Sequence, residues 1–477
     1  MNAIPSRTVR IQLLIALLLK AAMVVMLIGG PTGTGTYGRW CSELGDTGSY
    51  LEPAEHLITQ GTYVPDYRMP GYALPYIICR LFVPKDHAGD LLLILQTVLD
   101  ALSTVALGLL AFRFTGSRMV SRGVFWCGVI GHTITQFDIT LLTESFTSSA
   151  IILAAWSAAR SFDRGTRWHA LLAGALIAWA VFMRPVMVVA IPAFLVWSYL
   201  AIPHRGRMVR TMVMLGLPFA LVDAAWVIRN ATVHQRFIPA NPSLHYASID
   251  EGPLGPIIAF VEAFGGRTTW WDPVAEIRFF GVDGGVQPGQ RTALPTETST
   301  PGCTMDSLHQ VADDMFRWRH LPASDPTRDA LCASIRERMT RYRACYIEAH
   351  PWRYRLLAPM RCTRSFLFHS GTENVFGRPW TVLSLPERAL KAGWSVLFHL
   401  IQSVGLIACV FTLALRGMRQ RYGLLAAFTL LGVLIHPVAF RMAEHRYLAP
   451  VFPWLIVMAW IGVWHLNAKR TVHGADR

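Results

Sequence analysis

Four arginines and two acids stand out by what surrounds them. Arg184 precedes Pro185, Arg229 closes Trp226-Val-Ile-Arg229-Asn230, and Arg446 opens Arg446-Tyr447-Leu-Ala-Pro450. Arg68 lies in Tyr67-Arg68-Met69-Pro70-Gly71-Tyr72, Asp46 precedes Thr-Gly-Ser-Tyr50, and Glu144 follows Thr143. A guanidinium is a planar fork of donors that fits phosphate oxygens. A carboxylate can take the proton from an attacking hydroxyl or amine. Gathered at one place, the set suits a phosphate-bearing substrate and an acceptor that must be deprotonated. Singly, each residue has a plainer reading. Asp46 stands before a short helical pattern with Pro53 near its first turn and Gly61 past its end, which reads as a helix cap. Each arginine alone reads as an interfacial side chain reaching for water.

The elements that must position these residues are membrane spans. The chain has 477 residues, 53% hydrophobic and 16% charged, against about 25% charged in soluble domains. Its net charge of +14 does not make it a nucleic-acid binder. The basic residues are scattered through short loops between apolar runs, the pattern that orients membrane proteins. With about 20 apolar residues per span, the sequence predicts spans near 10–29, 91–112, 119–137, 140–159, 168–183, 186–203, 208–228, 392–415, 422–440 and 446–466.

Place the N-terminus in the cytoplasm, and the inside segments hold Arg7 and Arg10; Arg113, Arg118 and Arg122; Arg160, Arg164 and Arg167; Arg205, Arg207 and Arg210; Arg416, Arg419 and Arg421; and Lys469, Arg470 and Arg477. Asp163 and Asp476 are their only acids. This is a consistent positive-inside signal. The first apolar run reads as an uncleaved span, because Lys20 interrupts it and no small-x-small cleavage site follows. The expected order is a first span within 1–29, an outer loop 30–90, spans two to seven over 91–228, a large outer loop 229–391, spans eight to ten over 392–466 and a cytoplasmic tail 467–477. The large loop is expected to form a small helical cap, with helices near 303–320 and 325–349. Asp46, Glu144 and the arginines then fall at one depth on the outer face.

Other residues carry narrower expectations. Lys20 and Asp100 lie mid-span and read as a mutual pair fixing spans one and two. Asp223, nearer the outer end, either joins the site or pairs with an arginine. Five cysteines face out, and Cys303 with Cys332, or Cys345 with Cys362, could form disulfides, with free buried thiols the equal alternative. No cysteine and histidine spacing reads as zinc. Trp270, Trp271 and Trp380 read as interfacial belt or loop packing ahead of sugar stacking.

In order from Asp46-x-x-x-Tyr50 through Arg68-Met-Pro-Gly-Tyr72, Thr143-Glu144, Arg184-Pro185 and Trp226-x-x-Arg229-Asn230 to Arg446-Tyr447-x-x-Pro450-x-x-Pro453, the chain resembles membrane glycosyltransferases of the C-type (GT-C) fold. Within that fold it resembles the bacterial dolichyl-phosphate-mannose-protein mannosyltransferase-like group, with lipid A aminoarabinose transferases more distant. The resemblance implies an all-α polytopic bundle and inverting transfer of a sugar from a polyprenyl-phosphate donor outside the cytoplasm. It makes Asp46 the catalytic base. Arg184, Arg229, Arg446 and then Arg68 become candidates for the donor phosphate. Glu144, Tyr50, Asn230 and Tyr447 become candidates for orienting the acceptor or a metal. Where the aminoarabinose transferases have Glu-Lys-Pro-Pro, this chain has Arg68-Met-Pro70-Gly71, so their metal-binding glutamate has no counterpart. No cofactor is implied beyond a candidate divalent metal ion at Glu144. The partners implied are the lipid-linked sugar, a lipid, glycan or protein acceptor, and membrane lipid, with no nucleic acid.

Two other classes are open. An O-antigen ligase or polymerase shares many spans, a large outer loop and functional arginines, but not the acidic first-loop pattern. A transporter or flippase predicts internal repeats and charge at the bilayer midplane, whereas here no repeat is found and charge gathers at one face.

Overall fold

The apolar runs between basic loops are helical in the computed structural model, which describes residues 4–28, 35–64, 66, 68–240, 252–265, 275–281, 288–322, 324–372, 375–376, 378–441 and 443–474. Trp270 and Trp271 lie outside the described residues. Among those described there is no strand, and the extended pairing consists of two isolated bridges, Ser42 with Thr140 and Thr300 with Cys303. The chain divides into two units. The first comprises Met1–Ser243, Ser370–Leu431 and Leu448–Arg477, and the second comprises Leu244–His369 and Gly432–Tyr447.

The first unit opens with nine helices: α1 Ser6–Ile28, α2 Thr47–Gln60, α3 Ala73–Arg80, α4 Lys85–Thr115, α5 Arg118–Ile130, α6 Glu144–Arg164, α7 Arg167–Met183, α8 Ala190–Ala201 and α9 Arg205–His234. Among the described residues five helices are long and apolar enough to cross a membrane: α1, α4, α9, Leu385–Ala414 and Arg416–Ala439. They turn large apolar side chains outward, among them Leu14, Leu18 and Val25 on α1, Val213, Leu221 and Ile228 on α9, and Val396, Leu400 and Val410 on Leu385–Ala414. A helix apolar on its outer face needs lipid or protein around it. The remaining predicted spans fall on shorter or more polar helices. α5 has 13 residues, α7 has 17 and α8 has 12. α6 has 21 residues and buries Ser145, Thr147, Ser148, Ser149, Ser157 and Ser161.

Small residues let these helices approach closely. α6 buries Ala154, Ala155 and Ala158, and α7 buries Ala170, Ala173 and Gly174. A Cβ on Gly174 would stand 2.4 Å from the Leu215 carbonyl oxygen of α9. Between α1 and α4, the Lys20 ammonium donates to Asp100 Oδ2 at 2.5 Å, as expected for a mutual pair. It also donates to Thr135 Oγ1 at 3.0 Å and the Gly128 carbonyl at 3.1 Å, so all three of its protons are used.

The second unit has its own core. Phe260, Phe264, Phe279, Phe280, Met315, Met339 and Tyr346 are all buried within it. Its two longest helices, Met305–His320 and Thr327–Ala349, begin two residues after the stretches read from the sequence. Neither candidate disulfide is present, and all eight cysteines are free thiols. The neighbour that Cys303 does meet is Cys345, and burial pushes the Cys303 thiol up to about 12. The spacing along the chain could not reveal this pairing, because it depends on how the helices pack.

Candidate functional site

α2 begins one residue after Asp46, with Gly61 in the left-handed region (φ 75°) ending it. The Asp46 side chain does not cap this helix. Instead Arg68 Nη2 donates to Asp46 Oδ1 at 3.2 Å. The same guanidinium donates from Nε to Ser49 Oγ at 3.3 Å and lies 5.1 Å from the Tyr50 ring centroid. The two charged side chains are 30% and 25% exposed, so a substrate can reach both.

The start of α2 is anchored to the segment before α6. Ser42 N donates to Ile139 O at 2.6 Å, Leu141 N to Ser42 O at 3.0 Å, and Thr47 Oγ1 to Leu141 O at 3.2 Å. Three residues on from Leu141 stands Glu144, fully buried. Its carboxylate pairs with Arg184 Nη2, while Arg184 Nε donates to Thr143 Oγ1 at 2.8 Å. Arg184 sits at this spot because a residue before proline is pushed out of the helical region. Its φ of −143° and ψ of 103° end α7 there. At 7% side-chain exposure the pair is closed off.

Both clusters meet on the loop from Gly61 to Tyr72. Met69 packs with Phe182 and Trp226. The Trp179 indole donates to the Gly71 carbonyl at 2.8 Å. Gly71 is required, since a Cβ there would lie 2.3 Å from the Phe182 carbonyl carbon and 2.4 Å from Met183 N. Tyr72 packs against Tyr50 at 5.6 Å and Phe146 at 5.8 Å. The loop is thus wedged between α2, α6, α7 and α9.

That loop also receives Arg229, from the end of α9. Arg229 Nη1 pairs with Asp66, and Nη2 donates to the Tyr63 carbonyl at 3.0 Å. His234 Nε2 lies 2.7 Å from Asp66 Oδ2, and the Arg229 guanidinium covers the Trp226 ring at 5.1 Å. Burial and then the Asp66 charge raise the Tyr63 phenol, with Arg229 opposing. Asp66, His234 and Tyr63 were not anticipated. The only sequence signal was an acid beside Pro65 in a loop already holding Arg68, with its partner 163 positions away.

The site is built from the first unit alone. It gathers Asp46, Tyr50, Arg68, Glu144, Arg184 and Arg229. Asn230 is buried beside them and donates to the Ile238 carbonyl at 3.2 Å. Asp223 accepts from the Ala240 amide at 2.7 Å, ordering the loop after α9. Arg446 and Tyr447 belong to the second unit, where Arg446 Nε donates to Glu444 Oε2 at 2.7 Å and Tyr447 stacks on His436 at 4.7 Å. Trp380 is 49% exposed. Among the described residues no group of three or more histidines, cysteines or acids is arranged to hold a metal.

Below this surface lies a second polar cluster. Asp100 and Asp138 are fully buried, near enough that the charge of one acts on the other. Asp138 accepts from Ser145, and Thr135 Oγ1 donates to Asp100 Oδ2 at 3.0 Å. Burial, and then the charge of Asp100, hold the Asp138 carboxyl well above its ordinary range. A carboxyl buried beside a carboxylate holds its proton more tightly. With the proton on Asp138, the Lys20–Asp100 ion pair leaves the cluster without net charge.

No protein-family model and no curated protein matches this sequence.

Proposed function

We propose that the chain is an inverting glycosyltransferase, embedded in a bacterial plasma membrane through about ten helices. It moves a sugar from a polyprenyl-phosphate donor to an acceptor on the extracytoplasmic face. The observation that carries this reading is the Asp46–Arg68 pair, a partly exposed carboxylate not used as a cap, held 3.2 Å from an equally exposed guanidinium. Asp46 takes the proton from the acceptor hydroxyl or amine. That oxygen or nitrogen attacks the anomeric carbon, and the carbon–oxygen bond to the phosphate breaks on the opposite face. The lipid phosphate leaves with the bonding electrons. A glycosidase needs a second carboxyl to protonate an alkoxide, but a phosphate already leaves as a stable anion. One base and cationic stabilisation therefore suffice.

Exposure divides the arginines. Arg68 and Arg229, at 25% and 23%, can turn donors to a phosphate. Arg184, shut in with Glu144, instead fixes where the ends of α6 and α7 meet. The test is mass spectrometry of envelope glycans from cells with and without the protein. A glycan or lipid losing one sugar residue supports the reading, and identical profiles under conditions of expression overturn it.

A further inference from the structure

α1 starts, and α4 and α6 end, around a cleft of about 600 Å³. Val9, Leu109, Phe112 and Trp156 form its apolar wall, and four arginines stand at its mouth. Arg113 is already engaged. It binds Asp163 through two bonds, Nε to Oδ2 at 3.0 Å and Nη2 to Oδ1 at 2.8 Å. That fork uses up the only acid lining the cleft. Arg10, Arg160 and Arg164 form no ion pair among the described residues, and Arg160 stacks over Trp156 at 4.8 Å. The cleft therefore carries a surplus of three positive charges above an apolar wall. The C-terminal end of α6 adds carbonyl dipoles that favour Arg160 and Arg164 there.

A free anion would use only the arginines and leave the apolar wall wet. A phosphodiester with acyl chains uses both. Basic pockets between membrane helices on the cytoplasmic side are suited to such headgroups. We infer that this cleft binds one anionic phospholipid of the cytoplasmic leaflet, its phosphate held by Arg10, Arg160 and Arg164 and its chains laid along Val9, Phe112 and Trp156. The inference rests on the membrane-spanning orientation proposed above, but not on the transfer reaction.

The test is native mass spectrometry of the full chain, delipidated in detergent and titrated with phosphatidylglycerol, phosphatidylcholine or inorganic phosphate. Each basic residue near such a headgroup contributes about a fivefold affinity. The triple variant R10Q/R160Q/R164Q should bind phosphatidylglycerol about a hundredfold more weakly. Arg167→Gln, an exposed arginine outside the cleft, should bind as the wild type does. Circular dichroism and gel filtration confirm folding, and each single variant, expected about fivefold weaker, stands in if the triple variant misfolds. Equal loss in Arg167→Gln would mean diffuse charge attraction and overturn the proposal. So would equal binding of phosphatidylcholine, or displacement of the lipid by an equal concentration of inorganic phosphate. A wild type that transfers sugar but binds no phosphatidylglycerol sinks this inference alone.

Discussion

Replacing Lys20 by methionine removes the only cation from a fully buried cluster that holds two carboxyls. Asp138 holds its proton, so the Asp100 carboxylate that paired with Lys20 is left uncompensated. Breaking one side of a buried pair costs about 3–5 kcal/mol. With roughly 2–4 °C lost per kcal/mol in a medium-sized domain, melting should fall by on the order of 10 °C. Asp100→Asn should cost much less. Asp138, held protonated by burial and by the charge of Asp100, can then ionise and become the counter-charge for Lys20. The double change Lys20→Met with Asp100→Leu should recover most of the loss, because no net charge remains. Melting curves of the four proteins in one detergent, followed by tryptophan fluorescence, check the order. Equal losses in Lys20→Met and Asp100→Asn would refute the proton held on Asp138.

Asp138→Asn addresses the same proton through pH. The folded protein keeps a proton that the unfolded chain releases above about pH 4, so this contribution is whole below that pH and is lost as pH rises toward the raised folded value. The asparagine variant should lose that downward slope in melting temperature from about pH 5 to about pH 8, and an unchanged slope contradicts the assignment. Gly71→Ala should destabilise by about 1–3 kcal/mol and depress transfer, because its Cβ meets the backbone that leads into Arg184; wild-type melting would contradict that packing. Asp66→Asn should weaken donor binding about tenfold by loosening Arg229, the cost of one charge-assisted hydrogen bond, measured by titration with labelled donor.

Hydropathy made the long helices legible, because their apolar faces continue for five or six turns. α7, Arg167–Met183, lies within one residue of the span read for it. α5 and α8 were harder, because the sequence shows that they are apolar but not that α5 ends at Ile130 or that α8 starts only at Ala190. The Lys20–Asp100 pair could be read because each is a lone charge in an apolar run, and such charges need a partner. Nothing in the run reveals that Thr135, Gly128 and Asp138 complete the cluster. Asp46 illustrates the limit at the site. Its position before a helix was readable and favoured a cap, but the side chain goes to Arg68, a choice made by the loop's packing. The arginines were visible as span ends, yet that each has a carboxylate partner was not. Asp66 reaches Arg229 across the fold, and no periodicity links them.

The account stands on Asp46 acting as the base. Membranes or detergent-purified protein carrying Asp46→Asn, supplied with labelled polyprenyl-phosphate sugar, measure that role directly. Transfer should fall by at least about a hundredfold, the usual scale for losing a general base, while melting temperature and donor affinity stay near wild type. Near-normal transfer by a well-folded Asp46→Asn protein would contradict it.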